Sequence, residues 1–121
     1  MIILDMSDKR PLYEQVYERF KDLIEKGVLQ TDEQMPSVRA MSMELSINPN
    51  TIQRAYAELE RAGYIYPVKG RGNFVADISG VLPKRIEEFY EDLDRLLNKA
   101  KAYGVTTEEI IEHIRRNVEI R

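Results

Sequence analysis

The sequence predicts a mostly helical fold carrying one small β-hairpin, on three observations. Apolar residues recur at helical spacing in successive stretches punctuated by Pro, Gly and Ser. After Gly63 the period changes, and two short runs rich in aromatic and β-branched residues flank a glycine-containing connection. Beyond Pro83 a last helical region carries a stripe of roughly heptad spacing. The 121 residues, 43% of them hydrophobic, suit one ordered principal domain with a small appendage.

Ile2-Ile3-Leu4 is a short apolar start that either pairs as an edge strand or tucks under the first helix. Pro11 opens that helix. Leu12, Val16, Phe20, Leu23 and Ile24 form its apolar stripe, Tyr13 and Tyr17 flank the stripe, and Gly27 supplies the stop. Gln30 to Gln34 is polar and reads as a loop. Ser37 is placed to cap a short second helix with Val38, Met41 and Leu45 inward. Ser46-Ile47 leads to a third helix, capped by Asn48 and ended by Gly63. Pro49 suits its first position, where a missing N–H costs nothing. Ile52, Ala55, Tyr56 and Leu59 make its core face, and Tyr56 and Tyr64 read as packing residues. Residues 64–68 and 73–76 then flank Lys69-Gly70-Arg71-Gly72 as a hairpin. Three helices and a hairpin make a winged helix-turn-helix, assigned to residues 1–78.

Ser79 to Pro83 is a turn-rich break, and residues 79–121 are expected to form a two-helix C-terminal dimerisation region. Ile86, Phe89, Tyr90, Leu93, Leu96, Leu97 and Ala100 line its long helix, which Tyr103-Gly104 ends. Thr106 and Glu109 offer a capping box to a last helix expected to bury Ile110, Ile111, Ile114 and Val118.

The face of the third helix opposite its core carries Asn50, Gln53, Arg54 and Ala57. Asn and Gln can bond adenine edges bidentately and Arg can bond guanine. Presenting such residues from a helix N-terminus is how a helix-turn-helix reads the major groove. The pattern points to a DNA reader. The net charge of -3 neither requires nor forbids this, because the distribution is uneven. Between Arg61 and Val75 the only charges are Arg61, Lys69 and Arg71, while acids gather in the first helix and over Glu87 to Asp94. A local basic face on an acidic body predicts weak non-specific binding and reliance on base contacts and dimerisation.

Other classes fall away. With no cysteine and a single His113 beside Glu112, a usual metal site is not expected, and His113 reads as a surface residue. Gly70-Arg71-Gly72 lacks the third glycine and the context of a dinucleotide fingerprint, so no cofactor is expected. No catalytic constellation is recognisable, and the chain is read as a non-enzyme. No membrane span or secretory leader is expected, which makes the cytoplasm the default location.

From Leu12 to Val75 the chain resembles the GntR family of bacterial transcription regulators. The resemblance rests on Met35-Pro36-Ser37-Val38-Arg39, on Asn48 through Tyr56, on Leu59-Glu60 with Gly63-Tyr64-Ile65, and on Gly70 through Val75. The short helical tail is similar to that of the YtrA subfamily, which leaves little room for a self-contained ligand pocket. Asp32 stands where the family commonly has Gly, and Met41-Ser42 replaces a more usual Leu-Ala pair.

The resemblance implies that Arg39 and the wing-tip residues Lys69 and Gly70 touch DNA. With Ser37, Asn48, Asn50, Thr51, Gln53, Arg54, Arg71 and Gly72 they make the candidate DNA-binding set. Each has a plainer reading. Ser37 can be only a cap, Arg39 can pair with Glu44 or Glu58, Arg54 can anchor the wing or a neighbouring acid, and the wing tip can be an ordinary turn. Ile86, Phe89, Tyr90, Leu93, Leu96 and Leu97 are the candidate dimer surface, with packing against the first or last helix as the alternative. The expectation is a homodimeric regulator, a repressor in the first instance, on a pseudo-palindromic duplex operator. The alternatives are a protein-interaction module without DNA binding, or a regulator with an unidentified small-molecule effector held at the dimer or tail–core junction.

Overall fold

A computed structural model describes residues 2–118. It contains α1 (Leu12–Glu25), α2 (Val38–Leu45), α3 (Pro49–Arg61), β1 (Ile65–Val68), β2 (Gly72–Val75), a 3₁₀ turn (Ile78–Gly80), α4 (Leu82–Ala102) and α5 (Thr107–Asn117). The described residues form two compact units, 2–82 and 83–118.

The first unit is a winged helix-turn-helix. α3 packs on α1, α2 and β1, and β2 joins the unit through β1. Val16 and Phe20 of α1 meet Ile52, Ala55, Tyr56 and Leu59 of α3, with Met41, Tyr64 and Val75 closing the core. The aromatic rings meet edge to face, Phe20 on Tyr56 at 5.6 Å and Tyr17 on Tyr64 at 6.4 Å, an arrangement favoured by the ring quadrupole. Both buried tyrosines spend their hydroxyls on the fold. Tyr56 donates to the Pro36 carbonyl at 2.7 Å and Tyr64 to Glu25 Oε2 at 2.7 Å.

The N-terminal segment tucks against α1 and forms no strand. Ile2 is buried, the Asp5 N–H donates to Gln15 Oε1 at 3.0 Å, and Arg19 Nε donates to the Ile3 carbonyl at 3.2 Å. Gln15 is only 2% exposed, and this bond is what makes an amide tolerable there. Between α2 and α3 the chain turns at Ser46, whose φ of 55° is left-handed, and the Ser42 hydroxyl donates to the Ile47 carbonyl at 2.6 Å. The serine that departs from the family pair therefore ties down the turn. α3 stops at Gly63, where φ is +88° and the Tyr64 N–H returns to the Leu59 carbonyl at 2.8 Å.

β1 and β2 pair antiparallel with Ile65 opposite Val75 and Val68 opposite Gly72. The connection is Lys69-Gly70-Arg71. Gly72, placed in the connection by sequence, begins β2 because the Arg71 N–H closes on the Val68 carbonyl at 2.9 Å. The polar segment before α2 runs beside β2. The Asp32 N–H donates to Val75 O (2.7 Å), the Val75 N–H to Glu33 O (2.9 Å) and the Met35 N–H to Asn73 O (2.8 Å). From sequence this segment is a loop; in the structure it supplies a third, short rail to the wing. Asp32 sits at φ +68°, a conformation glycine adopts freely and Asp tolerates better than most residues. Its carboxylate accepts from the Tyr66 hydroxyl at 2.7 Å, a bond that, ahead of burial, raises the Tyr66 phenol above its ordinary pKa.

In the second unit, the Thr106–Glu109 capping box starts α5, with the side chain of each residue bonded to the backbone N–H of the other. The expected burial of Ile110, Ile111, Ile114 and Val118 is corrected. Ile111 and Ile114 are 42% and 43% exposed, Val118 is exposed beyond the end of α5, and Ile110 is half-buried. One pair of helices has two apolar faces but no further layer of its own to cover them. Ile86, Phe89, Tyr90, Leu96 and Leu97 are likewise exposed, with Leu93 half-buried. An open groove of about 640 Å³ is lined by Leu93, Leu97, Val105, Ile110, Ile111 and Ile114.

Candidate nucleic-acid interface

Two capped helix starts and the wing tip carry the candidate residues. Ser37 Oγ accepts the Ala40 N–H at 3.0 Å, which fixes the first turn of α2 and leaves Arg39 exposed on it. Among the described residues Arg39 pairs with neither Glu44 nor Glu58, and Glu58 pairs instead with Arg61. Asn48 Oδ1 accepts the Asn50 N–H at 2.8 Å, so capping occupies one end of the Asn48 amide. Asn50, Gln53, Arg54 and Ala57 are exposed, and Thr51 is half-buried at the edge. Because Ile52, Ala55, Tyr56 and Leu59 are fully engaged in the core, the facing of this polar edge is fixed by packing.

Arg54 departs from both alternatives read from sequence. Its guanidinium carbon lies 3.8 Å from the centroid of the Tyr13 ring on α1, and among the described residues it makes no hydrogen bond or ion pair with the wing or with an acid. Tyr13, Asn48, Asn50, Thr51 and Arg54 share a shallow depression of about 440 Å³.

At the wing, Lys69, Gly70, Arg71 and Gly72 are all exposed. Gly70 and Gly72 have φ of +77° and +109°, which only a residue without Cβ adopts cheaply. Gln34 Nε2 donates to the Arg71 carbonyl at 2.8 Å, a brace across the wing that no sequence pattern announces. A second depression, about 370 Å³, separates the α3 edge from the wing and is lined by Gln53, Ala57, Glu60, Lys69 and Gly70 among others. Glu60 continues the outward stripe of Asn50, Gln53 and Ala57 at helical spacing, a signal readable in the sequence. It sets a negative charge in the same depression as Lys69. Among the described residues no cluster of His, Asp or Glu has metal-ligating geometry, and no helix is long and apolar enough to cross a membrane.

Residues 12–75 match the family described as bacterial regulatory proteins, gntR family. The chain belongs to the GntR family. It is 33% identical over 117 residues to the HTH-type transcriptional repressor YtrA of Bacillus subtilis, covering 95% of this chain and 90% of that protein. A GntR family transcriptional regulator from Listeria monocytogenes superposes with a TM-score of 0.78 at 30% identity, covering 96% of this chain and all of the other. The AraR DNA-binding domain, solved in complex with operator ORR3, superposes with a TM-score of 0.54 at 29% identity over 63% of this chain and 92% of its own. Like its family, this GntR protein is a DNA-binding transcriptional regulator and not an enzyme.

Proposed function

We propose that this GntR protein is a repressor that binds a pseudo-palindromic operator as a homodimer. Residues 1–78 make the DNA contacts and residues 79–121 the dimer. Asn50, Thr51, Gln53 and Arg54 enter the major groove, Ser37, Arg39 and Asn48 meet the backbone beside it, and Lys69 to Gly72 reach the adjoining minor groove or its phosphates. The observation that carries this reading is the outward edge of α3. Its amide and guanidinium groups are exposed while the opposite face is sealed in the core. YtrA, a repressor by name, and the operator-bound AraR domain point the same way. The dimer is supported by the apolar side chains of Ile86, Phe89, Tyr90, Leu93, Leu96 and Leu97, largely exposed in one chain. Two linked half-sites also offset the weakness of one acidic subunit on a polyanion. Such a regulator works in the cytoplasm, where its DNA lies.

The test is selection of bound duplexes from a random pool, followed by anisotropy titration of the selected duplex at two salt concentrations. A two-fold symmetric sequence is expected. Asn50→Ala with Gln53→Ala should weaken binding about 30-fold or more, because each of the two bidentate base contacts is worth ~1–3 kcal/mol, and should leave the melting temperature in place. No preference for any duplex, or a collapse of stability in that variant, refutes the reading.

A further inference from the structure

Arg54 differs from the other exposed residues of the α3 edge in that its charged end is already held. The guanidinium carbon stands 3.8 Å from the centre of the Tyr13 ring. Tyr13 is anchored in turn, half-buried on the first turn of α1 and packed against the core. A guanidinium over an aromatic face is attracted by the ring quadrupole, while its N–H donors remain around the rim of its own plane. With the described residues Arg54 makes no hydrogen bond or ion pair that would consume those donors. Among the described residues the Tyr13 hydroxyl has only its neighbour Glu14, at 3.4 Å, so what the tyrosine offers here is its ring.

We propose that Tyr13 is a positioning residue for base recognition. Its ring sets the Arg54 guanidinium at the rim of the depression shared with Asn48, Asn50 and Thr51, where the two forward donors address one guanine of each half-site through O6 and N7. A long side chain that swings freely loses rotamer freedom when it binds. One already stacked has less to lose and presents its fork in a fixed plane. The inference rests on the proposed reading of α3 and adds to it a residue from outside the helix-turn-helix pair.

The experiment uses the full chain and the duplex selected by the wild type, with a panel of duplexes each changed at one base pair. Tyr13→Leu should flatten the preference at one symmetric position of each half-site by about three- to tenfold. Arg54→Ala should flatten the same position, and Tyr13→Phe, which keeps the ring, should not. The double variant Tyr13→Leu/Arg54→Ala should discriminate no worse than Arg54→Ala alone. If the leucine variant unfolds, Tyr13→Met keeps the bulk, discards the ring and gives the same readout. Retained preference in Tyr13→Leu overturns the inference, as does multiplication of the two losses in the double variant. A uniform loss at every position that tracks a lower melting temperature overturns it too, by making Tyr13 merely structural. Should the wild type itself show no base preference, the reading of α3 fails as a whole; a wild-type preference that survives Tyr13→Leu sinks only the role of Tyr13.

Discussion

Tyr56→Phe removes one oxygen and tests the joint between α3 and the segment that enters α2. The ring is 2% exposed and keeps its edge-to-face contact with Phe20 at 5.6 Å, so packing is left almost unchanged. What disappears is the 2.7 Å bond to the Pro36 carbonyl, whose oxygen loses its side-chain donor. A lost bond of this kind with its acceptor left partly buried costs about 1–2 kcal/mol. In a unit of this size each kcal/mol moves the midpoint by ~4–8 °C, so thermal melts followed by circular dichroism should drop by roughly 5–15 °C. The urea midpoint should fall with its slope unchanged. Burial first, and then the negative charge of Glu44, raises the Tyr56 phenol above its ordinary value of 10.0. The folded chain keeps a proton that the unfolded chain surrenders, so this contribution is whole below pH 10 and is lost as the pH climbs further. The gap between wild type and variant should therefore narrow in alkali. A midpoint unmoved by the substitution, or a gap that stays constant to about pH 11, refutes the reasoning.

Gly63→Ala should destabilise the first unit by more than ~1 kcal/mol, because φ is +88° and the new Cβ would stand 3.0 Å from Val81 Cγ2. Adding Val81→Ala should return the steric part in a melt but not the backbone part. The Glu109 carboxyl is held below its ordinary pKa by the Thr106 N–H and then by the Thr106 hydroxyl. Its support of α5 is present above pH 4.5 and fades as the pH falls through the lowered value. Far-ultraviolet dichroism should thus show helix lost in acid, a loss that Glu109→Gln lacks. Leu97→Asp should give a monomer in sedimentation and weaken operator binding; a dimer that survives it places the contact elsewhere.

The helices are legible in the sequence because each announces its limits. Ser37, Asn48 and Thr106 cap with their own side chains, and Gly63 ends α3 in the one conformation that suits it. The hairpin is legible from its aromatic and β-branched runs. What escapes is contact between distant residues of unremarkable type. Nothing in Gln30 to Gln34 alternates, so its pairing with β2 arises from tertiary placement alone. Gln15 looks like a surface residue until the Asp5 N–H is seen to need it. Arg54 shows a helix face but not its resting place on Tyr13, which lies 41 residues earlier in the chain. Periodicity likewise marks Ile111 and Ile114 as one face without saying that a single chain leaves that face uncovered.

The rail formed by Asp32 to Met35 has a mechanical meaning. One end is stitched to β2, and its continuation at Pro36 grips Tyr56 of α3. Helix edge and wing tip are thus welded into a single stamp whose spacing is set before any duplex arrives. Under the proposed contacts, groove widths that do not suit that stamp would have to be met by bending or squeezing the DNA, and duplex stiffness at untouched base pairs would enter the choice of target.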